Sequence, residues 1–164
     1  DGWQVSPLLS NKGVIMYQSI LVPIDDSHTS RQALQEAVRF VKDQHARLRL
    51  VNVIDLAQFS WGGAEFVDVG QLQQGLRENA GKLLDEVKSQ LAAQGVEAQT
   101  AVVEVWGGPF YQGILDEAKR WPADIIVMGT HGWTGLDHLL MGSVAEGVVR
   151  HSSLPVLLIR AGKA

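Results

Sequence analysis

VMGTHGWTGLDHLLMGS, residues 127–143, is the stretch of the sequence that decides the fold. Four apolar residues at 125–128 lead directly into Gly129, which is typical of a buried parallel strand that ends in a turn. At the other end, Ser143 with Glu146 three residues later matches a capping box and predicts the start of a helix. A strand, a glycine loop and a helix N-terminus present free backbone N–H groups, and such a place suits phosphate.

Glycines divide this loop at positions 129, 132, 135 and 142. A glycine can take a positive φ and lets the backbone approach an anion closely, because it has no Cβ. The lysine of a Walker A loop is missing, and so is the G-x-G-x-x-G pattern of dinucleotide-binding folds. Two interpretations stay open: an anion site, which the glycines as a set favour, or a plain turn followed by a helix cap.

The spacing of these glycines resembles a known signature. Gly129-x-x-Gly132, then nine residues, then Gly142-Ser143 is similar to the nucleotide-binding motif of the universal stress protein family, in its ATP-binding subgroup. The resemblance covers nearly all of the chain from Met16 onward, including ILVPID at 20–25 and LPVLLIR at 154–160. It implies a Rossmann-like domain related to the adenine nucleotide alpha hydrolases, with ATP (or ADP or AMP) and Mg²⁺ as ligands and a homodimer as the assembly.

The composition is that of one globular domain. The chain has 164 residues, of which 46% are hydrophobic and 20% charged, and its net charge of −4 argues against a nucleic-acid partner. It contains no cysteine, which excludes disulfides and fits a reducing compartment, and no apolar run approaches the roughly 18 residues of a membrane span. We therefore predict a cytoplasmic protein with no membrane partner. Residues 1–15 lack periodicity and are predicted to be a non-native or disordered extension before a single domain at 16–164.

Strands and helices alternate along the chain. Apolar residues at helical spacing predict several helices, the longest at 71–94 with Gly95 as its stop. This alternation predicts an α/β fold, a five-stranded parallel sheet with helices on both faces. If the first and fourth strands are neighbours, Asp25 and Gly129 face one crevice and the strand order is 3-2-1-4-5, which the resemblance also implies. Residues 55–70 have neither period and are predicted to form a long binding loop or lid. The five strands are predicted near 20–24, 48–54, 96–106, 124–128 and 154–159.

The candidate site combines this crevice with the resemblance. Asp25 ends the first strand and is either a cap for the turn or a group near the nucleoside or a metal ion; the family's ATP-binding members carry an aspartate there. Ser143 either caps its helix or hydrogen-bonds a phosphate. His131 and His138 lie in the glycine loop without a third ligand, so we predict Mg²⁺ held through the phosphates, with Asp25 as a further ligand. No catalytic residue is predicted, and the nucleotide-binding set is Pro23, Asp25, Val53, Met128, Gly129, Gly132, Gly142, Ser143 and Val144.

Three functions are compatible with this set. The first is a stress-response or signalling module in which nucleotide binding changes the dimer state or the choice of protein partner. The second is an enzyme, a slow ATPase or a nucleotidyl transferase, but the sequence offers no general base over the phosphates and no H-x-G-H motif. The third is a dimeric interaction module without nucleotide, which the intact glycine spacing disfavours. The predicted dimer contact is the apolar edge strand at 154–160.

Overall fold

A parallel sheet of five strands runs through the middle of the protein. The computed structural model describes residues 16–59, 68–131 and 141–160. The strands are β1 (Ser19–Pro23), β2 (Arg47–Asp55), β3 (Ala98–Val105), β4 (Ile125–Gly129) and β5 (Val156–Ile159). Their order across the sheet is β3-β2-β1-β4-β5, and every neighbouring pair is parallel. The predicted fold class and strand order are therefore confirmed.

Four helices connect these strands within the described residues. They are α1 (His28–Gln44), α2 (Val69–Ala93), α3 (Phe110–Arg120) and α4 (Ser143–His151). The predicted stop of α2 is confirmed, because Gly95 follows the helix with a φ of 77° and the N–H of Val96 donates back to Leu91 O over 3.0 Å. The α3 helix ends at Arg120, directly before Trp121-Pro122, because the residue before a proline is disfavoured in the helical region.

The prediction of one long irregular loop over 55–70 is wrong at both ends. Asp55 still belongs to β2, and its Oδ1 accepts the N–H of Ala57 over 2.9 Å, which starts a short 3₁₀ helix at Leu56–Phe59. At the far end, Asp68 caps α2 by accepting the N–H of Gln71 over 3.1 Å. Residues 60–67 lie outside the described part of the chain.

The helices cover the sheet on both faces, because successive strand residues point to opposite sides. Ile20 and Val22 belong to the core on one face, which α1 and α2 complete, whereas Leu21 belongs to the core on the other face, which α3 and α4 complete. All three side chains are fully buried. The near-continuous apolar runs in the sequence thus reflect strands that are buried on both sides.

The C-terminal end of α3 is fixed to the sheet by a buried carboxylate. Glu117 is only 1% exposed, and it is paired with Arg49 of β2 and, over 2.9 Å, with Arg120. A buried charge without such partners would be costly. Next to it, the indole N–H of Trp121 donates to Gln99 Oε1 over 2.7 Å. With this end held, the other end of α3 lies at the carboxyl ends of the strands.

Candidate functional site

A crevice of about 490 Å³ opens at the carboxyl ends of β1, β2 and β4. Its volume is in the range of small-molecule sites, and its location is where parallel α/β sheets bind ligands. Gly132 lies outside the described residues. The structure brings the other eight predicted nucleotide-binding residues together around the crevice: Pro23, Asp25, Val53, Met128, Gly129, Gly142, Ser143 and Val144.

The crevice has an apolar side and a polar side. On the side of β2, the wall is formed by Val53 together with Phe110 and Ile114 of α3. On the side of β4, it is formed by the end of that strand and by the start of α4. Since β2 and β4 flank β1, the two walls lie on either side of the end of β1, which Asp25 follows closely in the chain. A ligand with an apolar group at one end and an anionic group at the other fits this division.

The polar wall contains the N-terminus of α4, and here one prediction is wrong. The N-cap is Gly142, at φ −63° and ψ 154°, with no side-chain cap among the described residues; Ser143 is already the first helical residue. Glycine is itself an accepted N-cap residue, so the capping-box pattern was ambiguous. Glu146 hydrogen-bonds Arg150 over 2.7 Å instead of closing the box.

The start of α4 is tied to the end of β4. The N–H of Gly142 donates to Thr130 O over 2.7 Å, and the first intrahelical bond runs from Glu146 N to Gly142 O over 2.9 Å. The three amides at 143–145 precede that bond, and such amides at a helix N-terminus carry the positive end of the helix dipole. All three residues line the crevice.

Close packing, rather than positive φ, explains the first glycine of the motif. A Cβ on Gly129 would lie 2.7 Å from Thr29 Cβ and 2.8 Å from the backbone carbon of Thr29, so any side chain would collide with the first turn of α1. Gly142, at φ −63°, occupies a backbone region open to any residue. Neither Gly129 nor Gly142 uses the positive φ that glycine allows, and Gly132 and Gly135 lie outside the described residues.

Asp25 holds the turn between β1 and α1. Its Oδ1 accepts the N–H of Ser27 over 3.0 Å and also the Ser27 hydroxyl, and its own N–H donates to Ser30 Oγ over 3.1 Å. Ser27 in turn caps α1 by accepting the N–H of Ser30. Because Asp25 also lines the crevice, its two predicted roles, capping the turn and facing a ligand, are compatible.

The charged side chains around the crevice indicate which groups are available to bind an anion. Asp25, Asp26 and His131 line it, and no lysine or arginine does so within the described ranges. Arg31, beside the crevice, is paired with Asp26, and His131 Nδ1 lies 2.8 Å from Thr130 Oγ1. No group of three acidic, histidine or cysteine side chains is placed to bind a metal in this part of the chain. Backbone amides are therefore the main anion-binding groups that these residues offer.

Residues that the sequence predictions missed complete the apolar wall and floor. Phe110 and Ile114 come from α3, and Asn52 donates from its side-chain amide to Ile24 O over 2.7 Å, which fixes the ends of β1 and β2 together. The only signal for the first two was Gly107-Gly108-Pro109, a turn that places the next residues at the carboxyl end of β3.

Comparison with known proteins agrees with this architecture. Residues 16–160 match the sequence model of the universal stress protein family. The chain belongs to that family. A universal stress protein of Methanocaldococcus jannaschii is 34% identical over 153 residues, which cover 92% of this chain and 86% of that protein.

Solved structures of universal stress proteins have the same fold. A member from Burkholderia pseudomallei matches with a TM-score of 0.72 and 34% identity, covering 89% of this chain and 98% of that one. A universal stress protein in complex with cAMP matches with a TM-score of 0.63 and 25% identity, covering 90% and 99% of the two chains. In the described part of this universal stress protein, none of the helices has the length and apolar character to cross a membrane.

Proposed function

We propose that this universal stress protein binds an adenine nucleotide: ATP, or ADP or AMP with fewer phosphate groups. It acts as a stress-response or signalling module in the cytoplasm. The observation that carries the proposal is a crevice lined both by an apolar wall and by a helix N-terminus whose N-cap residue, Gly142, has no side chain. The related universal stress protein in complex with cAMP supports an adenine nucleotide as the ligand class.

The two walls determine the orientation of the bound nucleotide. The base lies against Val53 and the apolar wall, and the phosphates lie at the amides of 143–145, where the helix dipole favours negative charge. The ribose then lies near Asp25, between the walls. The spacing of Gly129, Gly132, Gly142 and Ser143 supports membership of the ATP-binding subgroup.

Mg²⁺ accompanies the phosphates in this proposal. The crevice supplies carboxylate oxygens from Asp25 and Asp26, the donor type that Mg²⁺ takes, but Asp25 Oδ1 is engaged by Ser27 and Asp26 is paired with Arg31. These residues fit an ion bound mostly through phosphate oxygens and water. The ion would offset the repulsion between the two carboxylates and the phosphates.

A homodimer through β5 is the second part of the proposal. β5 is an edge strand, and all four of its residues are only half-buried. The N–H groups of Ile126 and Thr130 donate to Pro155 O and Ile159 O, so alternation turns the peptide groups of Val156 and Leu158 to the open edge. An apolar edge with free peptide groups is a template for pairing with a second copy.

The first experiment identifies the ligand. Mass spectrometry of small molecules released from denatured protein, followed by calorimetric titration with ATP, ADP and AMP in Mg²⁺, is expected to give an adenine nucleotide bound in the micromolar range, about −8 kcal/mol. The absence of both released nucleotide and heat of binding would contradict the proposal and favour the interaction module without nucleotide.

A matched pair of glycine variants locates the site. Gly142→Val adds a branched side chain at the start of α4 and is expected to weaken ATP binding roughly tenfold or more, a change of about 1.4 kcal/mol. Gly108→Val is the control, because a Cβ there meets nothing within 4 Å and Gly108 is not among the residues that line the crevice in the described ranges. Unchanged ATP affinity in Gly142→Val would show that the phosphates do not bind at the start of α4.

A further inference from the structure

Phe110 is a large aromatic side chain that the protein core leaves uncovered. It is the first residue of α3, it lines the crevice, and it is 41% exposed. Ile114, one turn later on the same helix face, lines the crevice too but is only 2% exposed. The Phe110 ring therefore lies at the mouth of the apolar wall, with Ile114 deeper inside.

The backbone before α3 fixes the position of the helix residue that carries this ring. Gly107 has a φ of 71°, and its N–H donates to Asp55 Oδ1 over 2.9 Å, the oxygen that also accepts from Ala57. Pro109 follows as the N-cap of α3, with φ fixed at −71°. The start of the helix is thus clamped to the end of β2.

Close packing of α3 on the sheet places the start of the helix on the Val53 side of the crevice. A Cβ on Gly113 would lie 3.1 Å from Val53 Cγ1 and equally close to Val103 and Val105, so this glycine lets the helix approach β2 and β3 tightly. Phe110 is three residues earlier, on the next turn toward the crevice, and it lines the same crevice as Val53. An aromatic side chain beside an apolar wall is an arrangement that suits a planar base.

We propose that Phe110 is a base-stacking residue, whose ring forms the aromatic side of the subsite for a purine base against Val53 and Ile114. This inference rests on the proposed nucleotide-binding function and assigns base selectivity to α3, while α4 receives the phosphates. Stacking of a base on an aromatic side chain contributes about 1–3 kcal/mol by alanine substitution, which corresponds to roughly 5- to 150-fold in affinity. Since one side of Phe110 faces solvent, the lower end, roughly 5- to 20-fold, applies here.

The test separates the base from the phosphates. Phe110→Ala is titrated with ATP, with adenosine, which lacks the phosphates, and with inorganic tripolyphosphate, which lacks the base. Affinities for ATP and adenosine are expected to fall by the same factor, roughly 5- to 20-fold, while that for tripolyphosphate stays within about twofold. Trp106→Ala is the matched control, because Trp106 is 63% exposed and is not among the crevice residues of the described ranges; it is expected to change none of the three.

Two further variants keep the test valid if the alanine variant unfolds. Phe110→Leu retains an apolar side chain of similar volume without a π face, whereas Phe110→Tyr retains the face; only the leucine variant is expected to lose affinity for adenosine. Equal adenosine affinity in both would overturn base stacking, as would an equal loss of tripolyphosphate binding in Phe110→Ala. If the unchanged protein binds none of the three ligands, the nucleotide proposal itself fails, which is a distinct result.

Discussion

The packing of α3 against α4 can be tested at the contact between Tyr111 and Gly147. A Cβ on Gly147 would lie 2.1 Å from Tyr111 Cδ1 and 2.5 Å from Cγ, so the α4 backbone packs directly on the tyrosine ring. The Tyr111 ring is also stacked on the ring of His151, with 4.8 Å between centroids. An added methyl group would therefore have to displace the Tyr111 ring or the α4 backbone.

The effect of Gly147→Ala is expected to change sign when Tyr111 is removed. Overpacking costs about 1–3 kcal/mol, whereas glycine to alanine within a helix gains about 0.8 kcal/mol. In the unchanged protein we expect Gly147→Ala to lower the free energy of unfolding by about 2 kcal/mol, which for this chain length lowers Tm by about 4–8 °C. In a Tyr111→Ala background, the same substitution is expected to stabilise by about 0.8 kcal/mol.

Urea unfolding of the four proteins, without nucleotide, measures this cycle. The two effects of Gly147→Ala differ by about 3 kcal/mol, which is the coupling expected for groups in direct contact. A substitution that costs the same free energy with and without Tyr111 would refute the packing argument. Gly81→Ala in α2 is the control, because its Cβ meets nothing within 4 Å and it is expected to be neutral or stabilising in both backgrounds.

Three further outcomes are expected. Gly129→Ala, which collides with Thr29, is expected to lower the free energy of unfolding in urea by about 1–3 kcal/mol without any nucleotide present; an effect seen only with nucleotide would contradict this. The hydrogen bond from Arg77 lowers the pKa of the Glu104 carboxyl below its ordinary value of 4.5. The ion pair therefore stabilises the folded protein at pH values above 4.5, and this contribution is lost as the pH falls through the lowered pKa. Glu104→Gln is expected to flatten this acid limb in low salt, and parallel pH profiles of the two proteins would refute it. Leu158→Pro removes an N–H from the open edge of β5 while the bonds to β4 remain, and sedimentation is expected to give monomers; a persistent dimer would exclude this edge as the contact.

The strands of the sheet could be predicted from the sequence because they are buried on both faces. The runs that contain Leu21 and Val127 are short, apolar and ended by turn residues, a pattern that few other structures share. The prediction that Asp25 and Gly129 face one crevice depended on β1 and β4 being neighbours, an order that the family resemblance also implied, because neighbouring parallel strands end at the same edge of the sheet. The structure confirms this topology.

Contacts between distant residues decided what the sequence could not show. Ser143 and Gly142 are both acceptable N-caps, and the bond from Gly142 N to Thr130 O accompanies a helix that starts one residue after the glycine. Phe110 was missed because its position in the crevice depends on how closely α3 approaches β2, which Gly113 permits only in the folded chain.

Thr130 connects the edge strand of the sheet to the start of α4. Its N–H donates to Ile159 O over 2.9 Å, at the edge strand, and its C=O accepts from Gly142 N over 2.7 Å, at the start of α4. If the edge strand pairs with a second copy and α4 receives phosphate, both events act on the backbone of one residue, through the peptide groups on either side of the Thr130 Cα. Such coupling is reciprocal: whatever factor the nucleotide adds to the dimerisation constant, dimerisation must add to nucleotide affinity. The protein concentration would then tune how tightly the nucleotide is held.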